Sequence, residues 1–167
     1  MRVFGIDCGT EFTGYGVVEV GCDSSRLVHR AAGAIKLNKK ETTPQRLAQV
    51  YAELVALMTL HEPEVVAIEE VFFSANAKSA LKLGQVRGVA MLAAATCALP
   101  VVEYAPLSIK SAVVGYGLAA KEQVQFMVAR LLELPCAPAS PDAADALAIA
   151  ICHIHTAQTL ALQGTGR

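Results

Sequence analysis

The sequence predicts an α/β domain with a mixed β-sheet and helices on both faces of that sheet. Three strand-like segments open the chain, and helical and strand-like segments then alternate toward its end. A run of strands followed by such an alternation is expected when antiparallel strands extend a partly parallel sheet. The length of 167 residues suits one domain, and its 54% hydrophobic content is enough for a large core.

The first part of the chain predicts an antiparallel meander. Segment 2–7 is short and apolar, segment 13–20 is glycine-rich and then β-branched, and segment 27–37 alternates loosely between apolar and polar residues. Gly9 and the stretch 21–25 supply turns between these segments. Three strands paired in sequence order are therefore expected at one side of the sheet.

Helices and strands alternate after this meander. Thr43 can cap a helix with Pro44 in its first turn, and apolar residues recur at three- and four-residue spacing as far as Met58. The segments that follow predict a buried strand at 65–69, a helix at 77–95, a strand at 100–104, helices at 106–114 and 121–134, and a last helix from near Ser140 past Ile154. This five-stranded order resembles that of ribonuclease H-like proteins.

Acidic residues stand at the ends of two predicted strands. Asp7 ends the first strand, where an ionised carboxylate is costly unless it is solvated, paired or bound to a metal. Glu69 and Glu70 end the strand at 65–69. Successive side chains of a strand point to opposite faces, so just one of these glutamates can share a face with Asp7. The pattern leaves open which one, and a backbone-bonded turn aspartate with a solvated strand end is the structural alternative.

Another pair of acids begins the last predicted helix. Ser140 can cap this helix and Pro141 fits its first position, which places Asp142 and Asp145 on one face, three residues apart. Acids in a first turn also stabilise a helix through its dipole, by about 0.3–1 kcal/mol, and this is the purely structural explanation. The remainder of the helix is apolar and has to pack closely, so two like charges there repel unless a cation relieves them.

These carboxylates predict a divalent metal site. Oxygen ligands without histidine or cysteine at metal spacing suit Mg²⁺ or Mn²⁺ rather than zinc. The five cysteines are odd in number and contain no C-x-x-C pair, which also argues against a zinc site or a disulfide framework. Two such ions roughly 3.5–4 Å apart can clamp the attacking and leaving oxygens of a phosphodiester. The predicted chemistry is hydrolytic phosphodiester cleavage without a covalent nucleophile.

Basic residues gather in the middle of the chain, although the net charge of the whole chain is −1. Lys78 and Lys82 are four residues apart on one helical face and can contact phosphates. Lys110 and Lys121 bracket the segment 115–117, where a cation near the metals can neutralise developing negative charge. A solvated surface is the alternative for each lysine.

Two adjacent aromatic residues follow the strand that ends in Glu69. Phe72 and Phe73 cannot both be buried easily in one core from a loop. Exposed, they can wedge between bases or stack on them. The alternative is that they pack at a subunit interface or under a loop.

Five motifs, in order and covering nearly the whole chain, resemble the RuvC family of Holliday junction resolvases. They are G-I-D-C-G with T-G-Y-G at 5–16, A-I-E-E-V-F at 67–72, the helix with its N-A, S-A-L-K-L-G-Q and R-G at 76–88, V-V-G with Gly117 and Lys121, and D-A-A-D-A-L-A-I-A at 142–150. Each motif alone is weak, whereas five in order are specific. The resemblance implies a ribonuclease H-like fold.

By this resemblance the catalytic and metal-binding acids are Asp7, Glu69, Asp142 and Asp145, which decides between the two glutamates. The expected cofactor is Mg²⁺, two ions per active site, with Mn²⁺ as a substitute. The resemblance and the basic residues in the middle of the chain together give the residues expected to contact DNA. They are Phe72, Phe73, Lys78, Lys82, Arg87, Lys110 and Lys121. The implied product is a pair of symmetric nicks with 5′-phosphate ends in a four-way junction, for DNA recombination and repair.

The resemblance also implies partners and a location. It predicts a homodimer, the RuvA–RuvB branch-migration complex as a partner, and a bacterial cytoplasmic protein without a membrane span. An isologous dimer matches the approximate two-fold symmetry of a four-way junction, and the alanine-rich helix from Ala77 is a candidate interface. The expected domain is 1–158, followed by a short flexible tail at 159–167.

Three departures from the family pattern stand in this sequence. Cys8 replaces a proline common in the family, Glu70 replaces a neutral polar residue, and the tail from Gln158 lacks a basic cluster. Competing interpretations are a YqgF-type ribonuclease H-like nuclease, a junction-binding protein without catalysis, and a phosphotransferase related to sugar kinases. The last needs a second domain that this length does not readily supply.

Overall fold

The computed structural model describes residues 1–21, 26–70, 77–138 and 140–164. In chain order, its elements are β1 (Arg2–Asp7), β2 (Phe12–Val20), β3 (Leu27–Lys36), α1 (Thr43–His61), β4 (Val65–Glu69), α2 (Ala77–Thr96), β5 (Val101–Tyr104), α3 (Pro106–Val114), α4 (Lys121–Leu131) and α5 (Pro141–Gly164). The predicted order of strands and helices is confirmed.

The five strands form one mixed sheet in the order β3-β2-β1-β4-β5. The meander pairs antiparallel, β1 with β2 and β2 with β3, whereas β4 lies parallel to both β1 and β5. The two strands that end in Asp7 and Glu69 are therefore parallel neighbours in the middle of the sheet. Their carboxyl ends meet at the same edge.

Helices cover both faces of the sheet, which confirms the predicted architecture. Val3, Val65 and Ala67 point to the face covered by α3, α4 and α5, while their neighbours Phe4 and Val66 point to the face covered by α1 and α2. Strand side chains alternate between faces, so each strand contributes to two separate apolar cores. Continuous apolar strands are what such two-sided burial requires.

The central element of one face is α5. Its residues 146–152 are all buried. Within the described part of the chain, α5 is also the helix whose length and hydropathy would allow it to cross a membrane. A core helix meets the same criterion, so the burial of α5 against this sheet makes that observation weak evidence for a span.

Several boundaries differ from the sequence-based expectation, most of them by one residue, and three of the differences are informative. Thr42 rather than Thr43 caps α1, because the backbone N–H of Thr42 donates to Gln45 Oε1 at 3.0 Å. Helix α4 ends at Leu131 rather than Leu134, because Glu133 adopts a left-handed φ of 52° and the chain turns there. Helix α5 continues to Gly164, so most of the segment expected to be a flexible tail is helical.

Candidate active site

The strand register places Asp7 and Glu69 side by side. Ile6 is paired with Ile68 across the parallel β1–β4 ladder, and the two acids are the next residues on each strand. Both acids lie an even number of residues from Val3 and Val65, so their side chains share the face covered by α5. Glu70 lies beyond the strand and is exposed. The structure thus groups Asp7 with Glu69 rather than with Glu70.

Glycines in β1 and β2 bring α5 onto this face. Gly14 is paired with Asp7 across the antiparallel ladder, and a Cβ at Gly14 would lie 2.1 Å from the backbone oxygen of Asp142. At Gly5 a Cβ would lie 2.0 Å from the backbone oxygen of Ala146. The first turn of α5 therefore rests directly on the backbone next to Asp7. A side chain at position 5 or 14 would prevent this close approach.

The N-terminus of α5 is capped as the sequence predicts. The Ser140 hydroxyl donates to Asp142 Oδ2 at 3.2 Å and accepts the backbone N–H of Ala143 at 3.5 Å. Asp142 lies in the first helical turn and Asp145 follows three residues later, a spacing at which helical side chains share a face. The cap fixes where the helix starts and hence which face carries the two acids.

The four carboxylates lie in one electrostatic environment. Burial, and after it repulsion from Asp145, Glu69 and Asp142, raises the pKa of Asp7 from 3.8 to about 7, against the opposing effect of Lys121. Burial, followed by repulsion from Asp145, also raises the pKa of Glu69. Mutual repulsion of this kind favours a bound cation, because a cation restores the ionised form of every acid at once.

Two lysines border the acids. Lys121 Nζ forms an ion pair with Asp145 Oδ2 at 2.5 Å, and this contact raises the pKa of Lys121. Lys110 Nζ donates to the Ala119 carbonyl at 2.9 Å, and its positive charge opposes the upward shift in the pKa of Glu69. Glu69, Asp145 and both lysines line a cleft of about 170 Å³ that continues between α3, α4 and α5.

The donor set fits a hard divalent cation. It consists of carboxylate oxygens, which Mg²⁺, Mn²⁺ and Ca²⁺ prefer over nitrogen or sulfur ligands. Among the described residues, no three acidic, histidine or cysteine side chains are already close enough together to hold an ion as they stand. A cation that binds here also has to compete with Lys121 for Asp145. The fit therefore rests on donor chemistry and shared charge rather than on a closed ligand cage.

Comparison with known proteins identifies the family. Residues 3–153 match the model of the family described as crossover junction endodeoxyribonuclease RuvC. The chain belongs to this family. RuvC proteins are metal-dependent endodeoxyribonucleases, and this chain is accordingly a nuclease that depends on a divalent metal.

Relatives match over nearly their whole length. The RuvC protein of Koribacter versatilis is 61% identical, covering 96% of each chain, and that of Acidobacterium capsulatum is 62% identical, covering 98% of each. The solved structure of Thermus thermophilus RuvC has a TM-score of 0.88 at 36% identity, covering 95% of this chain and 96% of that one. The same Thermus protein has also been solved in complex with a Holliday junction substrate, with a TM-score of 0.86 at 33% identity and the same coverage.

The residues predicted to contact DNA fall into three groups. Lys78 and Lys82 are exposed on α2, and Lys110 and Lys121 line the cleft. Phe72 and Phe73 lie outside the described residues. The four lysines and the two phenylalanines are the first two groups, and Arg87 is the third.

Arg87 is engaged within the protein. Its side chain is 19% exposed, its guanidinium pairs with Glu103 on β5, and its Nε donates to the backbone carbonyl of Glu69 at 3.3 Å. This placement joins α2 and β5 to the end of β4. The geometry fits a residue that positions Glu69 better than one that reaches DNA.

Two features of the site were not predicted from the sequence. Arg46 on α1 donates to the carbonyl of Thr10 and so holds the turn that follows Asp7, a contact across 36 residues that no local pattern reveals. The glycines at 5 and 14 did carry a signal, because glycine inside a strand often marks the close approach of another backbone. Arg46 therefore holds the turn after Asp7, and the two glycines allow α5 to pack beside Asp7.

The Cys8 departure places a thiol directly after Asp7. Burial raises the pKa of the Cys8 thiol to about 12, with a smaller contribution from the neighbouring Asp7. In the metal-free protein the thiol therefore stays protonated at neutral pH.

Proposed function

We propose that this chain resolves four-way DNA junctions by paired, symmetric, Mg²⁺-dependent nicks that leave 5′-phosphate ends, in DNA recombination and repair. The observation that carries the proposal is the set of four carboxylates from β1, β4 and α5 on one face of the sheet. They are Asp7, Glu69, Asp142 and Asp145. Family membership and the junction bound by the Thermus relative support the choice of substrate.

In this mechanism the four acids would hold two Mg²⁺ ions, for which Mn²⁺ could substitute. Bound divalent ions supply a hydroxide nucleophile and stabilise the leaving 3′ oxygen. Asp7 has to be ionised to serve as a ligand, and Lys121 favours that state. Lys121 is paired with Asp145, and if a metal ion took its place there the lysine would be available to neutralise charge on the phosphate. Lys110 holds a second positive charge at the cleft wall.

DNA arms are held by basic residues outside the cleft. Lys78 and Lys82 lie one turn apart on an exposed part of α2, where they can contact the phosphate backbone. Phe72 and Phe73 remain predicted base contacts next to Glu69 in the sequence. These contacts position the junction, whereas cleavage depends on the four acids.

We also propose a homodimer formed through the outer face of α2. Leu81 and Leu92 are 71% and 58% exposed on this helix, and added Cβ atoms at Gly84 and Gly88 would meet nothing within 4 Å. This open face of leucines and glycines suits an isologous contact between two helices, and two-fold symmetry then presents two active sites to a junction. The RuvA–RuvB complex in the bacterial cytoplasm is the expected partner of the dimer.

The decisive experiment compares a synthetic four-way junction with a linear duplex of the same sequence, each with and without Mg²⁺. We expect symmetric nicks in the junction alone and only with Mg²⁺. Equal cutting of both substrates would mean that the metal site is right and the substrate wrong. No cutting of several junction sequences would favour a junction-binding protein, and a preference for RNA would favour a YqgF-type nuclease.

A matched pair of variants tests the acids themselves. Asp142→Asn should keep junction binding and abolish cutting, because a metal ligand is weakened while the surrounding basic residues are unchanged. Glu70→Gln removes an equal charge from an exposed position beside the site and should cut normally. Retained cutting by Asp142→Asn would remove Asp142 from the active site.

A further inference from the structure

A group of exposed apolar side chains lies where α3 meets the loop that leads to α4. Leu107, Tyr116 and Leu118 are 58%, 59% and 70% exposed. They lie near one another, because the backbone at Gly117, between Tyr116 and Leu118, approaches Leu107: a Cβ on Gly117 would lie 3.2 Å from the Leu107 carbonyl oxygen and 3.7 Å from Leu107 Cβ. Clusters of exposed apolar side chains mark binding surfaces more often than single exposed leucines do. We call these three residues the rim surface.

Hydrogen bonds hold the loop that presents the rim surface. Gly115 ends α3 in a left-handed conformation, with φ of 82°, and its N–H donates to the Ser111 carbonyl at 2.8 Å. The N–H of Ala119 donates to the Tyr116 carbonyl at 3.2 Å, and Lys110 Nζ donates to the Ala119 carbonyl at 2.9 Å. A surface preorganised in this way loses little conformational entropy when it binds a ligand.

The rim surface borders the catalytic cleft. Pro106 and Lys110, on either side of Leu107 along α3, both line the cleft that contains Glu69 and Asp145. Lys121, three residues after Leu118, lines it as well. A ligand that places a phosphate in the cleft therefore lies beside the segment that carries Tyr116 and Leu118.

We propose that Leu107, Tyr116 and Leu118 bind nucleobases of the DNA strand whose phosphodiester enters the cleft. An apolar surface with one aromatic ring, flanked by lysines 110 and 121, matches a polyanion that carries stacked rings. The proposal rests on the proposed nuclease function and adds a base-contacting surface to it. Such a surface holds the cut strand in register with the acids, and it can bias which phosphodiester is cut.

The first test measures junction binding and single-turnover cutting by Tyr116→Ser and Leu118→Ser, with Leu60→Ser as a matched control. Leu60 is 72% exposed at the end of α1, on the opposite face of the sheet. Loss of one stacked base should weaken junction binding and slow cutting by about five- to tenfold. The dependence of binding on salt should stay the same, because no phosphate contact is lost. The Leu60→Ser control should match the wild-type protein.

The second test places 2-aminopurine beside the cut phosphodiester and follows its fluorescence with metal withheld by EDTA. Stacking on the Tyr116 ring should quench the probe in the wild-type protein and in Tyr116→Phe, but not in Tyr116→Ser. Tyr116→Phe should also restore the cutting rate, because stacking depends on the ring rather than on the hydroxyl.

The outcomes separate this proposal from the nuclease function. If the wild-type protein cuts junctions while the Tyr116 and Leu118 variants behave like Leu60→Ser, the rim surface does not bind DNA and the proposal is overturned. A weaker salt dependence in Tyr116→Ser would indicate a lost phosphate contact and would also overturn it. If the wild-type protein cuts no junction at all, the proposed function fails first and the base-contacting surface fails with it.

Discussion

Replacing Gly14 with alanine tests whether the close approach of α5 to β2 sets the geometry of the acids. The added Cβ would lie 2.1 Å from the backbone oxygen of Asp142, whereas ordinary contacts begin at 3.4 Å. The first turn of α5 therefore has to retreat by roughly 1.3 Å, the difference between these two distances. A misplacement of about 1 Å in a catalytic group can lower a rate on the order of 100-fold.

We expect Gly14→Ala to cut junctions about 100-fold more slowly while binding them normally, since the basic residues on α2 are untouched. Forcing a methyl group into this contact should also lower the free energy of unfolding by about 1–3 kcal/mol. The assay is single-turnover cleavage at saturating protein, with thermal unfolding followed in parallel. The cleavage temperature has to lie well below the unfolding transition of the variant.

Gly33→Ala is the matched control. Its Cβ would lie 2.8 Å from ring atoms of Tyr15, a side chain that stacks on Phe4 on the face away from α5. This variant should also lose stability, but it should keep its cutting rate because α5 does not move. Wild-type cutting by folded Gly14→Ala, or an equal loss of cutting in both variants, would refute the reasoning.

Four further predictions concern charge and positioning. Because the pKa of Asp7 is about 7, Mn²⁺ affinity measured by calorimetry should rise about tenfold per pH unit below pH 7 and level off above it. The stability of the metal-free protein should change with pH in the opposite direction. The folded state holds a proton on Asp7 that the unfolded state releases near pH 3.8, so thermal stability should fall from pH 4 to 7. Asp7→Asn should remove this pH dependence. Lys121→Gln should raise the pKa of Asp7 further and shift the pH–rate profile toward higher pH. An unshifted profile would show that Lys121 does not act on Asp7. Arg87→Gln should misplace Glu69 and slow cutting about tenfold, because the lost, partly buried hydrogen bond contributes about 1–2 kcal/mol. Junction binding should be unchanged, and weaker binding would instead make Arg87 a DNA contact.

Local patterns in the sequence predict most of the fold because they match the physical periods of its elements. The strand 65–69 is apolar at every position before Glu69, as a strand buried on both faces has to be. Ser140 and Pro141 mark the start of α5 through capping chemistry that acts within one helical turn. The choice of Glu69 over Glu70 needed the register with β1, or the family resemblance, since the pattern of one strand does not specify its neighbours.

Contacts between distant segments could not be predicted in this way. Arg87 has the sequence pattern of a DNA-binding residue, and only the tertiary structure shows it bonded to Glu69 and Glu103. The sequence predicts the cap of α1 one residue too late, because two threonines precede Pro44. The Gln45 side chain accepts the backbone N–H of the first threonine, Thr42, which is therefore the cap. Each of these depends on which side chain reaches which partner, a property that composition and spacing leave undetermined.

The dependence of the active site on α5 has a consequence for how the protein is made. Asp7 and Glu69 lie in the first half of the chain, while Asp142 and Asp145 arrive only when α5 packs across β1 and β2. A chain whose synthesis stops before α5 lacks half of the carboxylates and the whole helix that buries this face of the sheet. Under the proposed mechanism, DNA-cutting ability would therefore be the last property that the chain acquires during translation.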